Sequence, residues 1–203
     1  MTATPRLAAI VLAAGRSTRM GPINKLTAVL DGMPLVRHAA EAACGCGASP
    51  VLVVTGHEAD AVREAVAGLP VTCVHNPDFA QGLASSLRIG VGAVPAGVDG
   101  TVVLLGDMPA VTATLVRRLI AAFGAEPAAV AAVPVLDGEW GNPVVLAASL
   151  FPDVAALDGD AGARKLLQSK RDLVVEVAVS DTAVTLDVDT PDVLAALRGD
   201  PPA

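Results

Sequence analysis

The chain has 203 residues, of which 53% are hydrophobic and only 2% aromatic, and its formal net charge is -7. A chain of this length can bury a substantial core, and we expect residues 1–203 to form a single domain. The negative charge and the scarcity of aromatic side chains argue against nucleic-acid binding, which favours a basic surface with stacking platforms. No apolar run approaches the ~20 residues of a membrane span, so no membrane partner is expected.

The first predicted element is a strand over residues 7–14, a continuous apolar run between Pro5 and Gly15. Such a run is typical of a strand buried on both faces of a parallel sheet. Because it follows Arg6 it superficially resembles a signal peptide, but it is at the short end for one, and we expect a cytoplasmic protein. Helical and strand patterns then alternate. The next predicted helices cover residues 35–48, 59–70, 85–94 and 113–124, and the next predicted strands cover residues 51–56, 71–75, 100–107 and 128–135.

The last third of the chain is less regular. The dipeptide Asp137-Gly138 is a hairpin signal, so a strand within residues 139–146 is expected to run antiparallel to its predecessor. The alternation predicts an α/β fold of three layers, α/β/α, with a mostly parallel sheet and one antiparallel strand. The remaining predicted elements are a helix over 160–168, a strand over 173–179, and a helix over 190–197 that begins with Thr190 as N-cap and Pro191.

A cationic loop directly follows the first predicted strand. It reads LAAGRSTRMGPINK over residues 12–25, with small residues at 13–15 that allow backbone N–H groups to approach an oxyanion. Arg16, Arg19 and Lys25 add positive charge. The loop lacks the Gly-Lys-Ser/Thr ending of a Walker A motif and the G-x-G-x-x-G of dinucleotide folds. A solvated surface turn is the simpler alternative, but several cations in one loop favour a phosphate ligand.

Acidic residues stand at two further places, one directly after a predicted strand and one in a later segment. Asp107 follows a buried strand, where an Asp alone is more often a turn former or a helix cap. Asp187 and Asp189 are two residues apart, so both carboxylates point to one face if the segment is extended. Two neighbouring carboxylates repel unless a cation or solvent lies between them. Together the three residues could hold Mg²⁺, which binds through carboxylates and substrate phosphates.

The cysteines give no sign of a metal site or a disulfide. Cys44, Cys46 and Cys73 are odd in number, and their spacing does not fit a zinc finger. Reduced, half-buried thiols are therefore expected.

Five segments occur in a fixed order over nearly the whole chain: LAAGRSTRMGPINKL, GDMP, GNPV, GDAGARKLL and DVDTPD. In this order they resemble the molybdenum cofactor cytidylyltransferases of the broader nucleotidyltransferase family. The resemblance implies a Rossmann-like fold similar to that of nucleotide-diphospho-sugar transferases, with nucleotide binding in the N-terminal half and acceptor binding in the C-terminal half. It implies a Mg²⁺-dependent enzyme that transfers CMP from CTP to the phosphate of a molybdopterin-type cofactor, releases pyrophosphate and serves a client molybdoenzyme.

The resemblance also implies roles for individual residues. The segment QGLASSL resembles a part of the family near the base and sugar, with Leu83 where a Met is usual. The simpler alternatives on the acceptor side are that Asn142 only holds a turn and that Arg164 is solvated. By position, the nucleotide-binding residues are Leu12, Ala13, Ala14, Gly15, Arg16, Lys25, Ser85, Ser86 and Asp107, and the catalytic residues are Lys25, Arg19 and Asp107. The metal ligands are Asp107, Asp187 and Asp189, and the acceptor-binding residues are Asn142, Asp160 and Arg164.

The implied chemistry does not need a general base. A phosphate monoester has a second pKa of ~6 and is mostly dianionic at neutral pH, so His57 is expected to be structural or to hydrogen-bond a ligand. Two other hypotheses stay open. One is guanylyl transfer to the same cofactor, or nucleotidyl transfer to another phosphate. The other is a non-catalytic carrier or insertion chaperone, which would have no need of a metal between carboxylates.

Overall fold

The computed structural model describes residues 4–17, 20, 24–159 and 162–199. The strands are β1 (Leu7–Ala13), β2 (Val29–Leu30), β3 (Met33–Pro34), β4 (Val51–Thr55), β5 (Val71–His75), β6 (Gly100–Leu105), β7 (Ala131–Leu136), β8 (Glu139–Trp140), β9 (Val144–Ala147) and β10 (Val174–Ala178). The helices are α1 (Leu35–Gly45), α2 (Ala59–Ala65), α3 (Leu83–Gly92), α4 (Ala113–Ala125), α5 (Phe151–Ala155), α6 (Ala163–Gln168) and α7 (Pro191–Arg198). Within these ranges, none of the helices has the length and apolar character required to cross a membrane.

The central sheet has the strand order β5-β4-β1-β6-β9-β7-β10. Strand β1 pairs parallel with β4 and β6, β4 with β5, and β7 with β10. Only β9 in this order runs antiparallel, to both β6 and β7, so the predicted mostly parallel sheet with one antiparallel strand is confirmed. The short β8 also runs antiparallel to β7. Between them Asp137 (φ 51°) and Gly138 (φ 86°) form a tight turn with both residues at positive φ.

Helices cover both faces of the sheet, which confirms the predicted three layers. Alternate side chains of β1 enter different cores: Ala9 and Val11 pack in the core that includes α1, α2 and α4. Ile10 and Leu12 pack in the core that includes α3, α5 and α6. Small residues bring the layers close together, since a Cβ at Gly90 of α3 would lie 2.8 Å from the Cγ2 of Ile10. An interior of Ala, Val and Leu fits this tight spacing.

Some elements differ from the sequence predictions. Helices α1 and α2 end at Gly45 and Ala65, earlier than predicted. Helix α5 was not predicted, because five residues are too few to show helical periodicity. The β2–β3 hairpin was not predicted either, and only its Asp31-Gly32 turn has a sequence signal. Helix α7 does begin as predicted, with the side chain of Thr190 accepting a hydrogen bond from the helix backbone.

A third, small core joins α7 to the β2–β3 hairpin. Leu194 of α7 and Val188 pack there with buried residues around the hairpin. The guanidinium of Arg198 donates to the carbonyl of Val29 at 2.9 Å, which ties the end of α7 to β2. The backbone N–H of Val188 donates to the carbonyl of Asp107 at 2.9 Å. The segment before α7 is thereby held against the end of β6.

Candidate active site

A cavity of about 490 Å³, here called the loop cavity, lies beyond the carboxyl ends of β1 and β6. The ends of parallel strands meet at one edge of a sheet, where open α/β folds bind their ligands. The cationic loop after β1 and Asp107 after β6 therefore reach the same space. The cavity is lined by Leu12, Ala14, Gly15, Arg16, Ser17, Lys25, Leu26, Phe79, Ala80, Gly82, Leu83, Ser86, Leu105 and Asp107.

The described part of the cationic loop is braced by short-range hydrogen bonds around Lys25. The backbone N–H of Lys25 donates to the hydroxyl of Ser17 at 3.1 Å. The side-chain oxygen of Asn24 accepts from the N–H of Leu26 at 3.0 Å and so caps the 3-10 turn that Lys25 begins. Arg19 lies outside the described residues, so its catalytic role stays a prediction. Ala13 is buried in the core on the α1 side of the sheet and does not line the loop cavity; its nucleotide-binding role also stays a prediction.

Three acidic side chains come together next to the loop cavity. Oxygens of Asp107, Asp187 and Asp189 all lie within 4.8 Å of one another, and we call these residues the carboxylate cluster. Fully buried Val188 separates the last two, so Asp187 and Asp189 project from the same side of the segment. The three residues that the sequence analysis grouped together therefore lie close to one another in the structure, although residues 187–189 are not part of a strand.

The ammonium group of Lys25 bridges two members of the carboxylate cluster. Its Nζ donates to Oδ2 of Asp107 at 2.5 Å and to Oδ1 of Asp189 at 2.6 Å. Burial alone would lower the pKa of Lys25, but the Asp107 and Asp189 carboxylates outweigh that effect and hold the pKa above its ordinary value. Lys25 is therefore protonated at neutral pH and carries a positive charge.

The carboxylate cluster has the properties expected of a divalent-cation site. Burial, followed by the negative charges of Asp189 and Asp107, raises the pKa of Asp187. The Oδ1 atom of Asp107 is buried and has no hydrogen-bond partner among the residues that the structure describes. An acceptor oxygen of this kind, beside two more carboxylates, suits a hard cation such as Mg²⁺ or Mn²⁺. The residues present thus fit a metal ion, which would be held by all three carboxylates.

A buried polar network supports the wall of the loop cavity near α3. Asn76 accepts a hydrogen bond from the N–H of Asp78 at 3.0 Å, which orients its amide so that Nδ2 donates to Ser85 and Ser86 at 2.9 and 3.0 Å. The Ser85 hydroxyl also contacts the carbonyls of Asp78 and Gly82. Ser86 lines the cavity, whereas Ser85 is engaged in the wall itself. The placement favours Ser86 over Ser85 as a ligand contact.

A second pocket lies on the other side of the carboxylate cluster. This Trp140 pocket has a volume of about 370 Å³ and includes Asn142, Arg164 and Asp187, so it brings together two of the predicted acceptor residues. Arg164 donates a hydrogen bond to the carbonyl of Trp140. Asp160, the other predicted acceptor residue, lies outside the described residues. The lining residues are Leu105, Met108, Glu139, Trp140, Asn142, Arg164, Val184, Thr185 and Asp187.

Sequence reasoning missed residues that shape both pockets. Trp140 was not singled out, although it is the only Trp in the chain. Gly141 permits a close approach, because a Cβ there would lie 2.5 Å from the carbonyl oxygen of Val184. Asn24 and Asn76 were also missed, and their only signal was a polar residue beside a strand end or a predicted cation. Their effect depends on contacts that a single sequence does not show.

His57 and the cysteines have structural surroundings. The backbone N–H of His57 donates to the carbonyl of Ala14 at 3.2 Å, which braces the loop after β1. Cys44, Cys46 and Cys73 are free; Cys44 and Cys73 are half-buried as predicted, whereas Cys46 is buried. Burial raises the pKa of each of the three thiols.

Comparison with known proteins places most of the chain in one family. A family model described as "MobA-like NTP transferase domain" matches residues 9–177. Nicotine blue oxidoreductase of Paenarthrobacter nicotinovorans is 34% identical over 194 residues, which cover 93% of this chain and 95% of that protein. The molybdenum cofactor cytidylyltransferase of Escherichia coli K12 is 28% identical over 184 residues, which cover 90% of this chain and 91% of that protein. Bifunctional protein GlmU of Kineococcus radiotolerans is 40% identical over 148 residues, 70% of this chain but only 30% of that longer protein.

A solved structure extends the likeness to three dimensions. The crystal structure of Rv0371c from Mycobacterium tuberculosis H37Rv in complex with manganese superposes with a TM-score of 0.79 at 31% identity. The match covers 96% of this chain and 98% of that one. The likeness therefore extends over nearly the whole chain.

Proposed function

Because the chain belongs to the family of MobA-like NTP transferase domains, we propose that it transfers CMP from CTP to the phosphate of a molybdopterin-type molybdenum cofactor. Membership of this family makes the protein a nucleotidyltransferase that uses an NTP. The choice of CTP and of the cofactor is supported by the E. coli relative, whose name states this activity, and by the sequence motifs shared with that branch. The product would then pass to a client molybdoenzyme.

The meeting of two pockets at the carboxylate cluster gives the proposal its main support. Leu105 lines both the loop cavity and the Trp140 pocket, Asp107 lines the first, and Asp187 lines the second. The carboxylates of Asp107 and Asp187 belong to the same cluster, within 4.8 Å. A transferase must bring two bound reactants to one point, and this arrangement offers a separate pocket for each reactant with charged groups between them.

The reaction forms a bond between an oxygen of the acceptor phosphate and the α-phosphorus of CTP and breaks the bond from that phosphorus to the β-phosphate bridging oxygen. Pyrophosphate leaves with that oxygen. A dianionic nucleophile must approach an anionic phosphate, so charge is the main barrier. Lys25, at the boundary of the cavity, supplies a positive charge near this point, because its pKa is raised and it stays protonated. Ala14 and Gly15 line the cavity, and we assign phosphate contacts to their backbone N–H groups.

We further propose that Asp107, Asp187 and Asp189 hold Mg²⁺ during the reaction. When bound, the ion supplies Lewis-acid polarisation and charge neutralisation. The buried Oδ1 of Asp107, which has no partner within the described part of the chain, supports this assignment, and a related structure is a manganese complex. On the acceptor side, we assign phosphate binding to Arg164, whose guanidinium has further donors besides the one given to the Trp140 carbonyl. Asn142 and Asp160 complete the proposed acceptor set.

The proposal is tested by measuring pyrophosphate release from Mg-CTP with and without the molybdenum cofactor. We expect release that depends on both the metal and the cofactor, and that is slower with GTP. Faster turnover with GTP would support guanylyl transfer instead. Retention of the cofactor without turnover of any NTP would support a carrier.

A second candidate function is that of an oxidoreductase, because the relative that matches almost the whole chain at 34% identity is named as one. Hydride or electron transfer has no evident use for three clustered carboxylates and a bridging ammonium, which favours nucleotidyl transfer. The same protein sample decides between the two. Reduction of nicotine blue by an added reductant, without any pyrophosphate release, would favour the oxidoreductase.

A further inference from the structure

The ammonium group of Lys25 lies among the carboxylates that would bind a metal ion, although metal binding by these carboxylates does not require a lysine there. Its ammonium contacts Asp107 and Asp189, and the side chains are largely sheltered, with 13% of Lys25, 17% of Asp107 and 32% of Asp189 exposed. Both contacts are short, charge-assisted hydrogen bonds. The ammonium thus uses oxygens from two of the three carboxylates that would bind a divalent ion.

An ammonium and a divalent ion compete for such a site. Oxygens of the three carboxylates lie within 4.8 Å of one another, so a cation bound to all of them would approach the same atoms that Lys25 now contacts. Two cations at this spacing repel each other strongly when partly removed from water. Binding of the divalent ion therefore favours departure of the ammonium.

The structure also offers the displaced ammonium a destination. The backbone of Lys25 is held in place by Ser17 and by the Asn24 cap, whereas its side chain is a flexible four-carbon stem. Lys25 lines the loop cavity. A rotation of the side chain alone moves the charge from the carboxylates into the cavity, without any change in the fold.

We propose that Lys25 is the resident counter-ion of the carboxylate cluster, and that a divalent cation displaces its ammonium into the loop cavity. The inference rests on the proposed function for the presence of a metal site, but not for the identity of the nucleotide or acceptor. The metal-free protein is then stabilised by its own cation. Metal binding also delivers a positive charge to the place where nucleotide phosphates are expected, so metal and nucleotide bind cooperatively.

The first test is the rate of amine acylation at each lysine, read by peptide mass spectrometry. The chain has only three lysines, Lys25, Lys165 and Lys170, so two serve as internal references. Lys165 is exposed, and Lys170 pairs with Asp153 at 3.3 Å, away from the cluster. We expect Lys25 to react slowly in the metal-free protein and several-fold faster with Mn²⁺, while the reference rates stay constant. The increase should be lost in Asp107→Asn.

The second test is Mn²⁺ affinity, measured without nucleotide by the electron paramagnetic resonance of the free ion. Lys25→Met removes the competing cation and should bind Mn²⁺ several-fold more tightly than the parent. Arg16→Met is the matched control, because it removes one positive charge from an exposed position in the same cavity. Its Mn²⁺ affinity should stay within a factor of about two of the parent, since exposed charges are well screened.

The outcomes separate the two proposals. Mn²⁺ could bind without raising the acylation rate of Lys25, and Lys25→Met could bind Mn²⁺ no more tightly than the parent. In that case the exchange of the ammonium for the metal ion is wrong, and the proposed nucleotidyl transfer stands. Equal tightening by Arg16→Met would also overturn the exchange, since the effect would then be general electrostatics. If Mn²⁺ binds neither the free protein nor its CTP complex, both the exchange and the proposed metal-dependent function are wrong.

Discussion

Replacing Asp107 by Asn separates the chemical role of this carboxylate from its structural one. The substitution keeps the shape of the side chain and removes its charge. It weakens the 2.5 Å bond from Lys25, because the amide oxygen is a neutral acceptor and a charge-assisted bond of this type is worth about 1.5–3 kcal/mol. It also removes the negative charge from a buried carboxyl whose Oδ1 has no hydrogen-bond partner among the described residues, a burial that costs about 1–3 kcal/mol. Lys25 keeps its contact with Asp189 at 2.6 Å.

These opposing effects nearly cancel, so the free energy of unfolding of the metal-free protein should change by no more than about 1 kcal/mol, or about 2–4 °C in melting temperature. Turnover should fall much further. Loss of one group that stabilises transition-state charge lowers kcat by about 10²–10³, or about 2.7–4 kcal/mol. The assay pairs thermal melting with steady-state pyrophosphate release.

Thr112→Ala is the matched control for this comparison. The hydroxyl of Thr112 caps α4 by accepting from the N–H of Leu115 at 3.2 Å, and it does not line the loop cavity. Its removal should cost about 1 kcal/mol of stability and leave kcat unchanged. The assignment of Asp107 is refuted if Asp107→Asn retains the parent rate, or if the control loses as much activity at the same loss of stability.

Four further substitutions test other parts of the site. Ala14→Gly should raise kcat/KM for GTP relative to CTP by about 5- to 150-fold, since one small apolar group discriminates by ~1–3 kcal/mol; an unchanged ratio excludes Ala14 as the selector. Asp187→Asn should raise the melting temperature of the metal-free protein slightly near pH 7, because partial burial and the charge of Asp189 raise the pKa of Asp187, although its side chain is exposed to solvent. The gain should shrink as the pH falls towards the ordinary Asp pKa of about 3.9, where the carboxyl is protonated in the folded state, and a gain independent of pH would contradict this cause. Ser86→Ala should weaken CTP binding by about threefold to tenfold in calorimetry, whereas Ser85→Ala should lower only the melting temperature; the reverse order would show that Ser85 is the ligand contact.

The main features of the site could be predicted because they follow strand ends. Leu7–Ala13 and Gly100–Leu105 are recognisable as buried parallel strands, so the cationic loop and Asp107 had to meet at one edge of the sheet. The spacing of Asp187 and Asp189 likewise predicted that both carboxylates face the same way. These inferences need only local periodicity and the geometry of a parallel sheet.

Other features depend on contacts between distant parts of the chain. Nothing local indicates that Val188 donates its N–H to the carbonyl of Asp107, which is the bond that brings the carboxylate cluster together. The insertion of β9 between β6 and β7 is equally non-local. The bridging position of Lys25 was missed because a loop cation was assumed to face a phosphate, whereas in the described structure the nearest negative charges are the protein's own.

The most direct test of the account follows the two ends of the nucleotide separately. The protein is incubated with Mg²⁺, the molybdenum cofactor and CTP labelled either at the α- or at the γ-phosphate, and the products are separated by chromatography. The account predicts that the α-label moves to the cofactor, the γ-label appears in pyrophosphate, and the two amounts are equal. Appearance of the α-label as free CMP, or its retention in CTP while the cofactor stays bound, would contradict nucleotidyl transfer to this acceptor.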